Sequence, residues 1–268
     1  MSKIIIKIII FIENKNGEFM LKEKAKPLRT PTGIDGLDVM VGGGLPKGRI
    51  VLICGGPGTG KTTIAMQYII NGVYKYGENG LYVSFDESME KIFEEAKYYG
   101  WDFKTPYQEG KISFLDLSTQ VKSKKLSIDK LVNMIKDSAS KVKAERISVD
   151  PLTALTLFFP DIIERRNAIL MLFDALTETK ATSIVTDEIR EDSERAILLE
   201  EYLADGVIIL RSSQVEQGRV RTIEIEKMRG TQIDDQIRPY VIDEDGVKVI
   251  SEKDIFSFAA EFLTRRRI

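Results

Sequence analysis

The sequence predicts an α/β fold, with a mostly parallel β-sheet, helices on both of its faces, and antiparallel strands at one edge near the C-terminus. The first observation is a series of short, continuously apolar runs, as expected of strands that are buried on both faces. The second is that helical patterns separate the earlier runs, which is the order of parallel β-α units. The third is that the runs after residue 206 follow one another without helices, which favours antiparallel hairpins.

The individual elements follow from these patterns in chain order. Strands are predicted at 49–55, 80–86, 111–117, 145–150, 181–187, 206–212 and 220–228. Helices are predicted at about 60–76, 88–99, 127–143 and 161–180. The stretch "DEDG" at 243–246 has the composition of a tight turn between two late strands. The sequence shows no internal repeat, so one domain is predicted.

The N-terminal run "MSKIIIKIII" is rich in isoleucine, which favours a strand. Its apolar stretch ends at Ile12 and is interrupted by Lys7, whereas a membrane-spanning helix needs about 20 apolar residues. The run also lacks the small-residue cleavage site of a signal peptide. We therefore expect no membrane segment. Two interpretations of residues 1–19 stay open: a real strand, or an artefact of a translation start that belongs at Met20.

Composition excludes several classes of function. The chain has no histidine, which excludes Ser-His-Asp triads, Cys-His pairs and histidine-ligated zinc. The single cysteine, Cys54, cannot form an internal disulfide and lies in an apolar run, so a buried core thiol and a reducing cytoplasm are expected. The net charge of −2 offers no bulk electrostatic attraction for nucleic acid. Nucleic acid is therefore not the expected partner, although charge alone does not exclude it.

The stretch "GGPGTGKTT" matches the phosphate-binding pattern G-x-x-x-x-G-K-[ST], with an apolar strand before it and a helical pattern after it. Glycines let backbone N–H groups turn inward around an anion, and the following helix presents its positive N-terminal end. Lys61 is expected to reach the β- and γ-phosphates, and the Thr62 hydroxyl to bind Mg²⁺. No guanine-recognition pattern stands in a suitable place, which favours ATP as the ligand. The predicted ATP-binding residues are Gly55, Gly56, Pro57, Gly58, Thr59, Gly60, Lys61, Thr62 and Thr63.

Carboxylates are expected to face the nucleotide where other buried strands end. Asp150 follows the apolar run of 145–150 and is predicted to be the second Mg²⁺ contact, the alternative being a strand-terminal cap. Asp86 and Glu87 end the run "LYVSFDE", where a carboxylate can orient an attacking water. We favour Glu87 as the base because its side chain is longer, and the choice between the two stays open. The alternative is that both residues, together with Ser88, begin and cap the next helix.

The segment "IEIEKMRG" at 223–230 places two cations in a strand. Strand side chains alternate between two faces. If the strand continues through Arg229, Lys227 and Arg229 lie on the face that Ile223 and Ile225 mark as buried. Two buried cations need an anion. That anion is either a phosphate or an internal carboxylate such as Glu224 or Asp234.

Four segments together resemble the KaiC-like group of RecA-superfamily ATPases: residues 29–63, "LYVSFDES", "ISVDPLTAL" and "EKMRG", which follow in that family's order. The phosphate loop alone is common among nucleotidases, whereas the first and last segments together are specific. The resemblance implies a RecA-type core over residues 28–250, preceded by an N-terminal extension (1–27) and followed by a helical tail with a basic end (251–268). It also implies head-to-tail assembly into a ring, usually a hexamer, with nucleotide between neighbours. Lys227 and Arg229 would then contact the γ-phosphate bound in the adjoining subunit.

The chain departs from the clock-type members of that group in three ways. Clock proteins carry two such domains in tandem, whereas this chain has one phosphate loop. They also carry an adjacent Ser-Thr autophosphorylation pair, where this chain has Glu201 and Tyr202, so clock-style self-phosphorylation is in doubt there. The paired glutamates of the family are Asp86 and Glu87 here.

These residues together predict a Mg²⁺-dependent ATPase that acts as a homo-oligomeric ring and regulates or signals through another protein. One alternative is a RecA-like DNA-dependent ATPase, either a recombinase or a helicase motor. Its pore loops would be 156–166 and 188–206, but the second is acidic, and the basic runs at 122–125 and 265–267 are short. The other alternative is an ATP-gated assembly platform with little hydrolysis.

Overall fold

A computed structural model provides the structure of the chain. It describes residues 9–13, 19–23, 28–123, 127–159, 161–189, 199–215 and 218–250. The predicted tail at 251–268 and the second basic run at 265–267 lie outside these residues. In the parts of the chain that are described, no helix is both long enough and apolar enough to cross a membrane.

Apolar and β-branched residues dominate the strands, and the helices between them carry an apolar stripe. The strands are β1 (Ile9–Glu13), β2 (Phe19–Glu23), β3 (Arg29–Thr30), β4 (Leu45–Pro46), β5 (Ile50–Gly55), β6 (Gly80–Ser84), β7 (Ile112–Asp116), β8 (Arg146–Asp150), β9 (Thr182–Glu188), β10 (Gly206–Val215), β11 (Gly218–Met228), β12 (Arg238–Asp243) and β13 (Gly246–Val249). The helices are α1 (Leu37–Met40), α2 (Lys61–Asn71), α3 (Met89–Tyr98), α4 (Lys104–Gln108), α5 (Ser118–Ser123), α6 (Ile128–Val142), α7 (Thr153–Phe158), α8 (Ile162–Thr179) and α9 (Leu199–Leu203). A π-helical turn, Gly72–Tyr76, continues α2.

Nine of the described strands form one sheet in the order β13-β12-β11-β10-β5-β9-β8-β6-β7. The strands from β10 to β7 in this order are parallel, and β10, β11, β12 and β13 pair antiparallel. This architecture confirms the predicted fold class, including the antiparallel edge built by the late strands. The predicted turn at 243–246 joins β12 to β13. Because the parallel strands run in one direction, β5 and β8 end at the same edge of the sheet, which we call the carboxyl edge.

The core has two parts, one on each face of the sheet. On one face α2 packs against the strands through residues such as Ile64 and Tyr68. On the other face α6 and α8 pack through residues such as Ile135 and Leu172. Cys54 belongs to this second part and is fully buried, which confirms the prediction of a core thiol.

The N-terminal run contributes to a hairpin. Strand β1 pairs antiparallel with β2, from Ile9 opposite Glu23 to Glu13 opposite Phe19. The part of the predicted N-terminal strand that the structure describes, 9–12, is therefore extended. The alternative start at Met20 stays a prediction.

A β-bulge in β11 changes the orientation expected for Lys227 and Arg229. Val207 pairs with Lys227 and Ile208 with Ile225, so Glu226 is an extra residue between the two pairs. An extra residue reverses the alternation of faces beyond it. The side chain that joins Ile225 in the core is therefore Met228, which is 5% exposed. The prediction that Lys227 and Arg229 lie on the buried face is wrong, because regular alternation does not allow for the bulge.

Candidate active site

The loop between β5 and α2 has the geometry of an anion nest. Gly58 and Gly60 adopt left-handed conformations with φ of 73° and 87°, which glycine tolerates without strain. Gly60 precedes the first residue of α2, so the free N–H groups of that helix end face the loop. The Thr59 hydroxyl donates to the Gly56 carbonyl over 2.8 Å, and the Tyr240 hydroxyl donates to the Thr59 carbonyl. The loop is therefore held in shape by its own residues and by β12.

Lys61 lies folded against this loop. Its Nζ donates to the carbonyls of Gly55 and Gly56 over 2.9 and 3.0 Å and lies 3.9 Å from a carboxylate oxygen of Glu188. The side chain is only 8% exposed. Burial lowers the pKa of Lys61, and the nearby Glu188 carboxylate opposes that shift. The ammonium group is thus placed inside the nest, where an anion would meet it.

Asp150 ends β8 directly beside the start of α2. Its Oδ2 accepts a hydrogen bond of 2.9 Å from the Tyr82 hydroxyl, and its Oδ1 accepts one from Thr186. The nearby Thr62 side chain also lowers the pKa of this carboxylate. Burial raises the pKa of Asp150, and these hydrogen bonds pull it back toward its ordinary value. The predicted metal ligands Thr62 and Asp150 therefore lie at the same cavity.

Glu87 and Asp86 follow β6 at the same edge but differ in their surroundings. Glu87 forms an ion pair with Lys91, and its backbone carbonyl accepts from the Ser84 hydroxyl over 2.6 Å. Its Oε2 is buried without a hydrogen-bond partner among the described residues. Asp86 is exposed. Of the three residues considered as helix caps, Ser88 performs that role by accepting from Lys91 N at the start of α3.

These groups share one cavity of about 360 Å³ at the carboxyl edge. It brings together the phosphate loop with Lys61, the Thr62–Asp150 pair and the two carboxylates after β6. Its lining residues are Pro57, Gly58, Gly60, Lys61, Thr62, Thr63, Ser84, Asp86, Glu87, Glu95, Asp150, Pro151, Glu188 and Ile242. Of the other residues predicted to bind ATP, Gly55 and Gly56 accept hydrogen bonds from the Lys61 ammonium through their carbonyls, and Thr59 is fully buried.

Three charged residues of this region were not among the sequence predictions. Glu188 ends β9, next to β5 in the sheet, so the rule that singled out Asp150 applies to it equally. Glu95 lies on α3, and its pKa is raised by burial and, to a smaller extent, by the Glu87 carboxylate. Arg221 donates from Nε to the Gly58 carbonyl over 3.2 Å. Its place beside the loop depends on the β10–β11 hairpin extending past the end of β5, which the sequence pattern does not reveal.

Lys227 and Arg229 lie at the opposite edge of the sheet from this cavity. Met228 pairs with Gly206, which pairs with Val51 near the start of β5, whereas the phosphate loop follows its end at Gly55. Arg229 N donates to the carbonyl of Asp205, whose own N–H donates to Ile50. At about 3.3 Å per strand residue, roughly 16 Å separates this level from Gly55.

The two cations are held by the end of α9. Lys227 Nζ donates to the carbonyl of Glu201 over 2.8 Å, and Arg229 Nη2 donates to that of Tyr202 over 3.3 Å. The two carboxylates named as possible internal partners pair with other residues, Glu224 with Arg211 and Asp234 with Arg238. Arg229 instead forms an internal ion pair of 3.9 Å with Asp205. Arg229 remains 57% exposed. Neither cation contacts the phosphate loop of its own chain.

The loops considered for a DNA pore are described only in part. The first, 156–166, contains the end of α7 and the start of α8, with residue 160 outside the description. The second, 188–206, is described at 188–189 and from residue 199. The basic run at 122–125 has no described side chains.

Comparison with known proteins agrees with this arrangement. A family model described as "ATPase: KaiC" matches residues 30–254. The chain belongs to the KaiC family of ATPases. The family match covers the phosphate loop, both carboxylate-bearing strand ends and the Lys-Met-Arg-Gly run, so the resemblance drawn from those segments is confirmed, and the chain contains a RecA-type ATPase domain.

Several curated KaiC proteins are similar over most of this chain. The circadian clock oscillator protein KaiC of Parathermosynechococcus lividus is 35% identical over 242 residues, which are 88% of this chain and 43% of the relative. The corresponding protein of Nostoc sp. is 34% identical over 241 residues, 88% of this chain and 45% of the relative. The chain thus spans less than half the length of these curated relatives.

One solved structure of a KaiC-like protein is matched over its whole length. The crystal structure of a KaiC-like protein from the hyperthermophilic archaeon Pyrococcus horikoshii OT3 superposes with a TM-score of 0.77 at 31% sequence identity. The match covers 84% of this chain and 100% of the archaeal chain. The fold described here is therefore that of a solved KaiC-like protein.

Proposed function

We propose that this KaiC-family protein is a Mg²⁺-dependent ATPase that acts as a homo-oligomeric ring, with each nucleotide held between two subunits. The observation that carries the proposal is the separation of its charged groups. Lys61, Thr62, Asp150 and Glu87 share the cavity at the carboxyl edge, while Lys227 and the exposed Arg229 lie at the other edge. A head-to-tail arrangement would bring one edge of a subunit against the other edge of its neighbour.

The residues present suit ATP and Mg²⁺. The nest around Gly58 and Gly60 and the N-terminal end of α2 suit a chain of phosphates, with the Lys61 ammonium among them. The Thr62 hydroxyl and the Asp150 carboxylate are hard oxygen donors that line the same cavity. When bound there, Mg²⁺ would offset the charge of the phosphate oxygens. The protein would supply few ligands and leave the rest to phosphates and water, as is usual for this ion.

Glu87 is proposed as the group that orients and deprotonates the attacking water, with Asp86 as the alternative. In this role the water oxygen attacks the γ-phosphorus, the bond to the β-phosphate oxygen breaks, and the water proton passes to the carboxylate. The buried Oε2 of Glu87 has no hydrogen-bond donor among the described residues and is therefore available for such a proton. Lys91 keeps the other oxygen of the carboxylate in place.

Lys227 and Arg229 are proposed to act in the neighbouring subunit's site. The negative charge that spreads over the γ-phosphate oxygens during transfer is stabilised by nearby cations, an effect worth about 10³–10⁵ in rate for comparable arginine residues. Such a pair makes hydrolysis depend on assembly. We propose the domain over 28–250 as the unit that assembles in the cytoplasm, and coupling to another protein as the way hydrolysis is used.

The test is steady-state ATP hydrolysis by the wild type and by Arg229→Ala, over protein concentrations that span dissociated and assembled chains. The wild-type rate per chain is expected to rise with assembly. Arg229→Ala is expected to bind ATP, to assemble, and to lose most of its turnover.

Mixed rings supply the decisive arm of this test. Lys61→Ala chains lack the phosphate-binding ammonium but keep Lys227 and Arg229, so an excess of them should restore turnover to Arg229→Ala sites. If Arg229→Ala hydrolyses ATP at the wild-type rate, or mixing restores nothing, the proposal of action between subunits fails. Lys141→Ala, a substitution of an exposed residue on α6 away from the cavity lining, serves as the control and should behave as the wild type in every arm.

A further inference from the structure

Asp205 lies between α9 and β10, where three hydrogen bonds to Ile50 and Arg49 hold it in place. Its backbone N–H donates to the Ile50 carbonyl over 2.9 Å. Its Oδ2 accepts from the Ile50 N–H over 3.2 Å, and its Oδ1 accepts from Arg49 Nη1 over 3.0 Å. The side chain is 15% exposed. This carboxylate is therefore a fixed negative charge at the start of β5.

Arg229 is tied to the same residue by backbone and side chain. Its N–H donates to the Asp205 carbonyl over 2.8 Å. Its Nη1 lies 3.9 Å from Asp205 Oδ1, the oxygen that Arg49 also contacts. Burial and the neighbouring Arg229 charge lower the pKa of Lys227, and the Asp205 carboxylate opposes this shift. Asp205 thus faces both cations and offsets their mutual repulsion.

A long cationic side chain that must reach a neighbour's phosphate needs a restricted starting position. Ordering a flexible side chain costs conformational entropy, and a small misplacement of a charged group can cost a large factor in rate. The end of α9 and Asp205 together confine Arg229 without burying it, because its guanidinium touches Tyr202 O and Asp205 but stays more than half exposed.

We propose that Asp205 is a positioning residue that aims Arg229, and with it Lys227, at the nucleotide of the neighbouring subunit. The inference rests on the proposed function, since it concerns how the same two cations are presented. Asp205 itself touches no nucleotide in this scheme, and it acts through Arg229.

The test uses full-length Asp205→Asn. Asparagine keeps an oxygen that can accept from Ile50 N–H and removes the charge that faces Arg229. We expect ring assembly and the KM for ATP to stay as in the wild type, while kcat falls by about 10- to 100-fold. Glu178→Gln, which neutralises a surface carboxylate paired with Lys136, is the matched control and should keep the wild-type kcat.

Mixed rings distinguish positioning from a general structural role. An excess of Lys61→Ala chains, which carry intact Asp205, Lys227 and Arg229, should restore turnover at Asp205→Asn sites. A defect in the variant's own fold or own phosphate site would not be restored in this way. If Asp205→Asn is impaired and mixing leaves it impaired, while Arg229→Ala is restored, the positioning role is overturned and the proposed function stands.

Two further outcomes separate the remaining cases. If Asp205→Asn keeps the wild-type kcat while Arg229→Ala loses it, only the positioning role fails. If Arg229→Ala is fully active, the proposed function itself fails and the positioning role fails with it. Arg49→Gln adds a check on the Asp205 oxygen that Arg49 and Arg229 share. Because this change leaves the carboxylate to Arg229 and Lys227, turnover should be kept, and a loss equal to that of Asp205→Asn would count against the proposal.

Discussion

The Tyr82 hydroxyl donates a 2.9 Å hydrogen bond to Oδ2 of Asp150, and both residues are buried. The carboxylate would otherwise meet the full cost of burial, which favours its protonated form. Tyr82 is held in turn by stacking on Phe114, with ring centroids 5.2 Å apart and an interplanar angle of 7°. The hydrogen bond from Tyr82 opposes the rise that burial causes in the pKa of Asp150, and it orients the proposed metal ligand from inside the core.

Replacing Tyr82 with phenylalanine should weaken the site without removing any ligand. A hydrogen bond to a charged group contributes about 1.5–3 kcal/mol, so a loss of that order in the free energy of unfolding is expected. Without this donor the Asp150 carboxylate is less well oriented, so the site should bind Mg²⁺ more weakly. The expected sign is a higher Mg²⁺ concentration for half-maximal nucleotide binding. Tyr68→Phe is the control, because it removes a buried hydroxyl bonded to Thr182 O, outside the cavity lining. Equal Mg²⁺ dependence in both variants would contradict the role given to Tyr82.

Glu87→Gln should separate binding from hydrolysis. The change keeps the size of the side chain and removes its ability to take a proton, so kcat should fall by about 10²–10⁴-fold while ATP affinity is retained. Asp86→Asn, at the exposed neighbouring position, should show a much smaller loss. Single-turnover hydrolysis together with equilibrium nucleotide binding measures both effects. A larger loss in Asp86→Asn would assign the base to Asp86 instead.

Asp187 makes the stability of the fold depend on pH. Burial raises its pKa from 3.8 to about 7, and the side chain is 3% exposed. Between these two values the folded chain keeps a proton at Asp187 that the unfolded chain has released, so stability must fall as pH rises through that window. Above pH 7 the ionisation of buried Asp187 lowers the free energy of unfolding by about 4 kcal/mol, relative to its value at low pH.

Asp187→Asn removes this titration while keeping an oxygen that can accept from Thr153 and from the Glu188 N–H. The free energy of unfolding of the variant, relative to the wild type, should therefore increase from pH 5 to pH 8. Other groups with raised pKa values are common to both proteins, so their contributions cancel in the difference. If the free energies of unfolding of the two proteins differ by the same amount at every pH in this range, Asp187 is ionised in the folded chain throughout.

Local patterns were sufficient to predict most of the sheet and the phosphate loop. Runs such as 49–55 and 145–150 are apolar throughout because their strands are buried on both faces, and this signal needs no knowledge of the partner strands. The loop at 55–63 was predictable because its glycines, lysine and threonine stand at a fixed spacing. The strand order β5-β9-β8-β6 could not be predicted in this way. It depends on how distant segments pack together, and no local sequence pattern indicates that packing.

Side-chain direction was predictable only where strands are regular. Regular alternation predicts that Ile223 and Ile225 face inward, and both are buried. Beyond Ile225, regular alternation put Lys227 inward, whereas the bulge at Glu226 puts Met228 there. Nothing in a run of alternating residues marks one of them as extra, because a bulge is a property of the pair of strands. Contacts between distant segments, such as Arg221 with Gly58, were unreadable for the same reason.

The bulge can be tested by deleting single residues from β11. Removing Glu226 leaves the pairs Val207–Lys227 and Ile208–Ile225 adjacent, so the strand becomes regular and every remaining side chain keeps its face. We expect this variant to fold, with a change of less than about 1 kcal/mol in the free energy of unfolding.

Removing Glu224 is the matched control, because it shortens the same strand by the same residue type. If the pairs at Ile223 and Lys227 are kept, Ile225 must turn outward and Glu226 must take the buried position. Losing the burial of Ile225 alone costs about 1.5–3 kcal/mol, and burying a carboxylate adds to it. Thermal denaturation of both variants measures the difference. Equal destabilisation by the two deletions would mean that Glu226 is not the extra residue of the bulge. The bulge at Glu226 would then not explain why Met228 is buried.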